Sequence, residues 1–168
     1  MSDMKTALCK ALNIVPIETK VRVVSRSTKS IWESYGFTLS QWNQMKDSIR
    51  DVIVEVAKRA STITYTNLVI EAKVLGLLHN RHSALWAILG EISDKSFKEF
   101  EICLSAVVVC GSTDPDGNRG YPGVGFYPVL QKHRDMKPTW SKKKIDLASA
   151  MEIGRVHEYF KNMKDSLH

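Results

Sequence analysis

Two carboxylates three residues apart, Glu91 and Asp94, are the residues of this sequence whose types and spacing come nearest to catalysis. On a helix that spacing puts both on one face, as a divalent-ion nuclease or another small hydrolase would need, with His82 as a third candidate. The common hydrolytic patterns also want a second acid and a Lys on the neighbouring strand, and the run from Cys103 to Cys110 supplies neither. Carboxylates near a helix end more often cap or pair locally, so hydrolysis stands as the alternative reading.

The stretch His79-Asn80-Arg81-His82 sets two imidazoles and a guanidinium on one turn. Two His are too few for a metal site, and no metal or cofactor is expected; Arg81 and His82 read instead as phosphate contacts. The densest basic run is Lys142-Lys143-Lys144, preceded by Trp140 and flanked by Arg134 and Lys137. Asn118 and Arg119 fall at the tip of a loop rich in Gly, Asp and Pro. Pro122-Gly123-Val124-Gly125 can offer backbone N–H groups to an anion. It lacks the Gly-Lys-Ser/Thr end of a phosphate-binding P-loop, so a structural turn is the expectation.

Composition points the same way. The 168 residues carry 24 Lys and Arg against 18 Asp and Glu, a formal charge of +6, which favours a polyanionic partner through phosphate neutralisation. Between Lys5 and Lys29 six basic residues face one acid, Glu18. The apolar content of 43% is enough for one real core. The three cysteines, Cys9, Cys103 and Cys110, form no Cys-x-x-Cys pair, which argues for a reduced setting without disulfides or zinc. No run approaches the ~20 apolar residues of a membrane span, and the opening residues show no apolar h-region; a cytoplasmic location and no membrane partner are expected.

These residues must be positioned by a small set of elements. Residues 1–37 read as a basic arm, with Leu8, Cys9, Leu12 and Ile14 in a short helix before Pro16, and residues 38–168 as one domain. Thr38 and Gln41 make a capping box for a helix whose stripe is Trp42, Met45, Ile49, Ile53 and Val56. Thr62 to Tyr65 are β-formers, and Thr66 would cap a second helix bearing Leu68, Val69, Ala72 and Leu75. Ser83 would cap a third, with Leu85, Ile88, Leu89 and Ile92 on its stripe and a fade in Asp94–Glu101. Leu104–Val109 reads as a buried strand, and Gly111–Gly125 as a β-hairpin or wing returning through Phe126 and Tyr127, with Pro128 limiting the return to an edge. A basic linker, Lys132–Lys144, precedes a last helix with Leu147, Met151, Val156, Tyr159, Phe160 and Met163 inward. His157 and Glu158 read as a surface pair.

Thr64-Tyr65, Leu89–Ser93, Leu104–Val109, Pro122–Phe126 and Arg155–Phe160 together resemble a small bacterial family of uncharacterised proteins, over roughly residues 50 to 160, most of a typical domain. That resemblance implies domain limits and no activity. The Thr-x-Thr-Tyr step followed by two helices and a hairpin is also similar to the winged-helix domain of the alkylguanine-DNA alkyltransferases. Their active loop is Pro-Cys-His-Arg, where this chain has Val109-Cys110-Gly111-Ser112. Alkyl transfer needs a thiolate activated by a base, and no His accompanies Cys110, so the resemblance implies shape without that chemistry.

The sequence therefore predicts an α+β fold with a winged-helix-like centre, a β-hairpin, an N-terminal arm and a C-terminal packing helix. The expected function is nucleic-acid binding of low sequence specificity, DNA before RNA, through Arg81, His82, Arg119 and Lys142, Lys143 and Lys144. A third reading is an accessory module with a protein partner docked on Trp32, Tyr35, Phe37 and Trp42.

Overall fold

A computed structural model describes residues 29–77, 82–111 and 120–166, and of His82 its backbone alone. Short helix α1 (Ile31–Ser34) leads into α2 (Leu39–Lys58). Then come β1 (Ile63–Thr64), α3 (Tyr65–Glu71), a 3-10 turn at Leu75–Leu77 and α4 (His82–Phe100). A second 3-10 turn at Leu104–Val107 enters β2 (Val108–Val109), and a third at Val124–Phe126 enters α5 (Tyr127–His133). The last element is α6 (Lys142–Asp165). The described residues are thus mostly helical with a small sheet, an α+β mix, and no helix among them is long and apolar enough to cross a membrane.

Helix α2 starts where its capping box requires. The Gln41 N–H donates to Thr38 Oγ1 at 3.2 Å, and the Thr38 N–H donates to Gln41 Oε1 at 2.9 Å, so two of the orphan amides of the first turn are satisfied. Trp42, Ile49, Ile53 and Val56 are buried against Leu85, Ile88, Leu89 and Ile92 of α4, as the 3.6-residue spacing predicts. Tyr35 stacks on Trp42 with centroids 5.9 Å apart, and Trp32 and Phe37 also pack on the core. Trp42, only 1% exposed, is core and not part of a docking surface.

The sheet is parallel, with Ile63 opposite Val108 and Thr64 opposite Val109; the strands are short and buried apart from half-buried Thr64, much as parallel sheets usually are. Most of the run predicted as a strand is 3-10: Leu104–Val107 turn before the two strand residues begin. Two serines of α4 explain the turn. Ser96 Oγ accepts from the Leu104 N–H (3.1 Å) and donates to the Ile102 carbonyl (2.7 Å), while Ser93 Oγ accepts from the Ser105 N–H (3.0 Å). Side chains of α4 thereby replace ladder bonds for this buried backbone.

Several boundaries correct the sequence reading. Thr64, not Thr66, caps α3, its Oγ1 accepting from the Asn67 N–H at 3.3 Å. Helix α4 already includes His82, so Ser83 lies inside it, and it runs unbroken through Asp94 to Phe100. The described residues hold no return strand of a wing: Phe126 lies in a 3-10 turn and Tyr127 opens α5. Pro128 belongs to the first turn of that helix, where its missing N–H is not needed and its fixed φ suits the helix. The loop does close on itself at one point, the Cys110 N–H donating to the Tyr121 carbonyl (2.8 Å) and the Gly120 N–H to the Cys110 carbonyl (3.2 Å).

Candidate nucleic-acid interface

Lys142, Lys143 and Lys144 are not in a linker. They form the first turn of α6, capped by Ser141, whose Oγ accepts from the Lys144 N–H at 3.4 Å. Lys142 Nζ pairs with Asp146 at 2.6 Å, one turn on. Lys144 Nζ sits 4.1 Å above the ring of half-buried Trp140, so this face of the indole is occupied by a cation and not open to a base. Lys143 is exposed and makes no ion pair among the described residues. Of the other expected phosphate contacts, Arg81 and Arg119 lie outside the described residues, as do His79, Asn80 and Asn118, and His82 is placed only as the first residue of α4.

The Gly-rich loop is seated on protein side chains. The Gly123 N–H donates to the Tyr65 hydroxyl at 3.1 Å, which takes that amide away from an anion nest. Gly125 lies against the Trp86 indole so closely that a Cβ there would stand 2.6 Å from Cγ. The Thr-Tyr step and the Pro-Gly-x-Gly-Phe loop are thus two halves of one contact.

Glu91 and Asp94 do share a face of α4, and both are engaged. Glu91 accepts from the Trp42 indole N–H (3.0 Å) and from Lys46 Nζ (2.8 Å). Asp94 accepts from Lys132 Nζ (2.5 Å) and from His133 Nε2 (2.6 Å), and the His133 ring stacks on Phe97 at 4.2 Å. Partial burial pushes the Asp94 carboxyl up, but Lys132 and His133 outweigh it and hold it below the usual carboxylate range. Both acids fasten α4 to its neighbours. His157 does not pair with Glu158; its Nε2 is 2.9 Å from the Ser61 carbonyl, and since a carbonyl only accepts, that nitrogen carries the proton.

A buried polar cluster on α6 was missed in the sequence. Glu152 is fully buried on α6, yet it accepts from Arg134 Nε (2.7 Å) and Nη2 (3.0 Å), from Arg155 Nη1 (2.8 Å) and from the Cys103 N–H (2.7 Å). Burial pushes its carboxyl up, and these four donors more than reverse that, leaving it below the normal range. The signal was present: Glu152 follows Ile145 and Ser149 and precedes Val156 and Phe160 at three- and four-residue steps. The stripe actually buried is this one, whereas Leu147, Met151 and Met163 are exposed. Beside it the Cys103 thiol is pushed up to about 12 by burial and by the Glu152 charge, so it is inert at neutral pH.

No protein-family model, curated protein or solved structure matches this chain.

Proposed function

We propose that the protein binds nucleic acid with little sequence preference, through its phosphates, at the start of α6. One observation carries this reading: three consecutive lysines occupy the first turn of a 24-residue helix. The helix dipole is positive there, and cations in that turn are destabilising, whereas a phosphate docked on the same turn would be held by the lysines and by the free amides together. Among the described residues, only Lys142 of the three is paired with an acid. The net charge of +6 supports the same partner. Arg81, His82 and Arg119 complete the proposed contact set, and the succession α3, α4, β2 is the part of a winged-helix-like centre that this reading keeps, with α4 as the helix nearest the nucleic acid. That Glu91 and Asp94 are each held by cations favours a structural role for them over a hydrolytic one.

The test is fluorescence anisotropy with labelled duplex DNA, single-stranded DNA and RNA across a salt series. Affinity should fall steeply with salt, and charge reversal at Lys142, Lys143 and Lys144 should flatten the slope of log K against log salt by about 0.9 for each phosphate no longer neutralised. Salt-insensitive binding, or no binding to any of the three, would overturn the reading.

A further inference from the structure

Helix α6 carries apolar residues on two opposite faces. Its buried stripe, Ile145, Ser149, Glu152, Val156 and Phe160, includes two polar side chains, while on the outer side Leu147 and Met151 are 61% and 51% exposed. A helix that packs on one core alone puts polar and charged groups there instead. Ala150 and Gly154 share this outer face and are exposed, and a Cβ built on Gly154 meets nothing within 4 Å, so the middle of the helix presents an open shelf. Lys143 at one end of the face and Glu158 at the other are exposed and form no ion pair among the described residues. Single exposed apolar residues are ordinary on a protein surface; the order of these is not.

We propose that this face binds the same face of a second copy of the chain, as an antiparallel pair of α6 helices about a twofold axis. From Lys143 through Leu147, Ala150, Met151 and Gly154 to Glu158 the steps are four, three, one, three and four residues, the same read from either end. Turning one copy end for end therefore lays each residue opposite a complement: Lys143 against Glu158, Leu147 against Gly154, and Ala150 against Met151. An isologous interface has this property, residue i meeting j while j meets i. In both apolar pairs the larger side chain falls on the smaller one, which lets the helix axes approach to the usual ~8–10 Å. At each rim a base falls on an acid, and Glu158 of one copy meets the positive end of the other copy's helix dipole.

Charge selects this arrangement over its competitors. In a parallel pair Lys143 would face Lys143 and Glu158 would face Glu158, and an antiparallel pair slid by one turn would set Leu147 against Glu158. One pair of helix stripes is a small interface, at the low end of specific contacts, so the dimer is weak and reversible. The inference goes beyond nucleic-acid binding and does not rest on it. Lys143 is common to both sites, so a phosphate there and Glu158 of a second copy exclude each other, and the test is made without nucleic acid.

The experiment is sedimentation equilibrium of the full chain over a concentration series that reaches about 1 mM, where even weak pairs form. The mass should climb from one copy toward two, and Leu147→Lys should weaken association at least about tenfold while the circular dichroism spectrum stays that of the parent. Lys143→Glu and Glu158→Lys should each weaken it about two- to tenfold, and the two variants mixed should associate again, because the mixed pair has opposite charges at both rims. Orientation is read by cross-linking in a Cys9→Ser background, Cys103 and Cys110 being buried. Ala150→Cys, beside the twofold axis, should form an intermolecular disulfide, whereas Leu147→Cys, ~10 Å along the helices from its own counterpart, should not. A single copy at every concentration, association indifferent to Leu147→Lys, no recovery on mixing the charge variants, or a disulfide that forms faster at Leu147→Cys than at Ala150→Cys would each overturn the proposal.

Discussion

The guanidinium of Arg134, just past α5, grips the buried carboxylate of Glu152 on α6 with two hydrogen bonds, Nε to Oε2 at 2.7 Å and Nη2 to Oε1 at 3.0 Å. The same guanidinium donates to the Glu101 carbonyl at 2.6 Å and lies 4.8 Å over the Phe97 ring, so one residue ties α6 to the end of α4. Removing one partner of a buried, fully bonded pair leaves the other charge uncompensated. Glu152→Gln should therefore destabilise the fold by roughly 3–5 kcal/mol. Urea unfolding followed by circular dichroism measures this. A loss under about 1 kcal/mol would mean that the pair is dispensable.

Two carboxylates held by cations set the acid limit. Glu152 and Asp94 both have folded-state pKa values below their unfolded ones. The unfolded chain therefore takes up protons first as pH falls, and stability drops with pH in that window. Their contribution is complete above the unfolded carboxylate values, about 4.3 for Glu and 3.9 for Asp, and is lost as pH falls through the lower folded values. Tm should be nearly flat between about pH 7 and 5 and then decline, and Asp94→Asn should make the decline shallower. A Tm that rises on acidification below about pH 4 would contradict the arrangement.

Much of this was legible where hydrophobic period and local chemistry agree. Thr38 with Gln41, and the stripes of α2 and α4, are set by neighbours within one turn. The errors arose where distant groups decide the local state. Leu104–Val107 has the composition of a strand, but Ser93 and Ser96 of α4 satisfy its backbone as a 3-10 turn. Tyr127-Pro128 reads as a poor strand, though it is a good first turn of a helix. For α6 the polar members Ser149 and Glu152 concealed the buried stripe, because nothing nearby in sequence announces that Arg134 and Cys103 will meet Glu152. Of the candidate contacts, the lysines at 142–144 were visible as a charge run, but their place on a helix start depends on Ser141 as a cap.

Gly125 is a position where shape alone forbids a side chain. A Cβ would lie 2.6 to 2.8 Å from three atoms of the Trp86 indole, closer than any relaxed contact. Gly125→Ala should cost about 1–3 kcal/mol as an overpacking change. In the double variant with Trp86→Leu the penalty for adding the methyl should shrink, and that coupling in a double-mutant cycle is the diagnostic. Additive effects would show that the two residues do not meet.

Among the described residues, four at helix ends adopt left-handed backbone without being glycine: Ala60, Lys73, Glu101 and Asp135, with φ between 50° and 58°. At Ala60 the Ser61 N–H reaches back to the Val56 carbonyl at 3.2 Å, closing the end of α2 in the way glycine usually does. An L-residue in this conformation costs roughly 1–2 kcal/mol, of which the greater freedom of glycine in the unfolded chain returns part. Ala60→Gly should thus stabilise the protein by about 0.5–1 kcal/mol, while Ala57→Gly, inside the same last turn, should destabilise it. Thermal unfolding of the two variants checks the opposite signs.

Lys143 separates stability from binding. It is exposed, lacks the Asp146 partner of Lys142 and the Trp140 ring of Lys144, and stands in the positive first turn of α6. Lys143→Glu should therefore raise stability by about 0.3–1 kcal/mol at low salt, since an anion replaces a cation at the positive end of the dipole. The same change should weaken nucleic-acid binding and reduce its salt slope. A more stable variant that binds less well is the outcome expected of a residue kept for its ligand at a cost to the fold. If Lys143→Glu is more stable and binds nucleic acid as tightly as the parent, the start of α6 is not where phosphate sits.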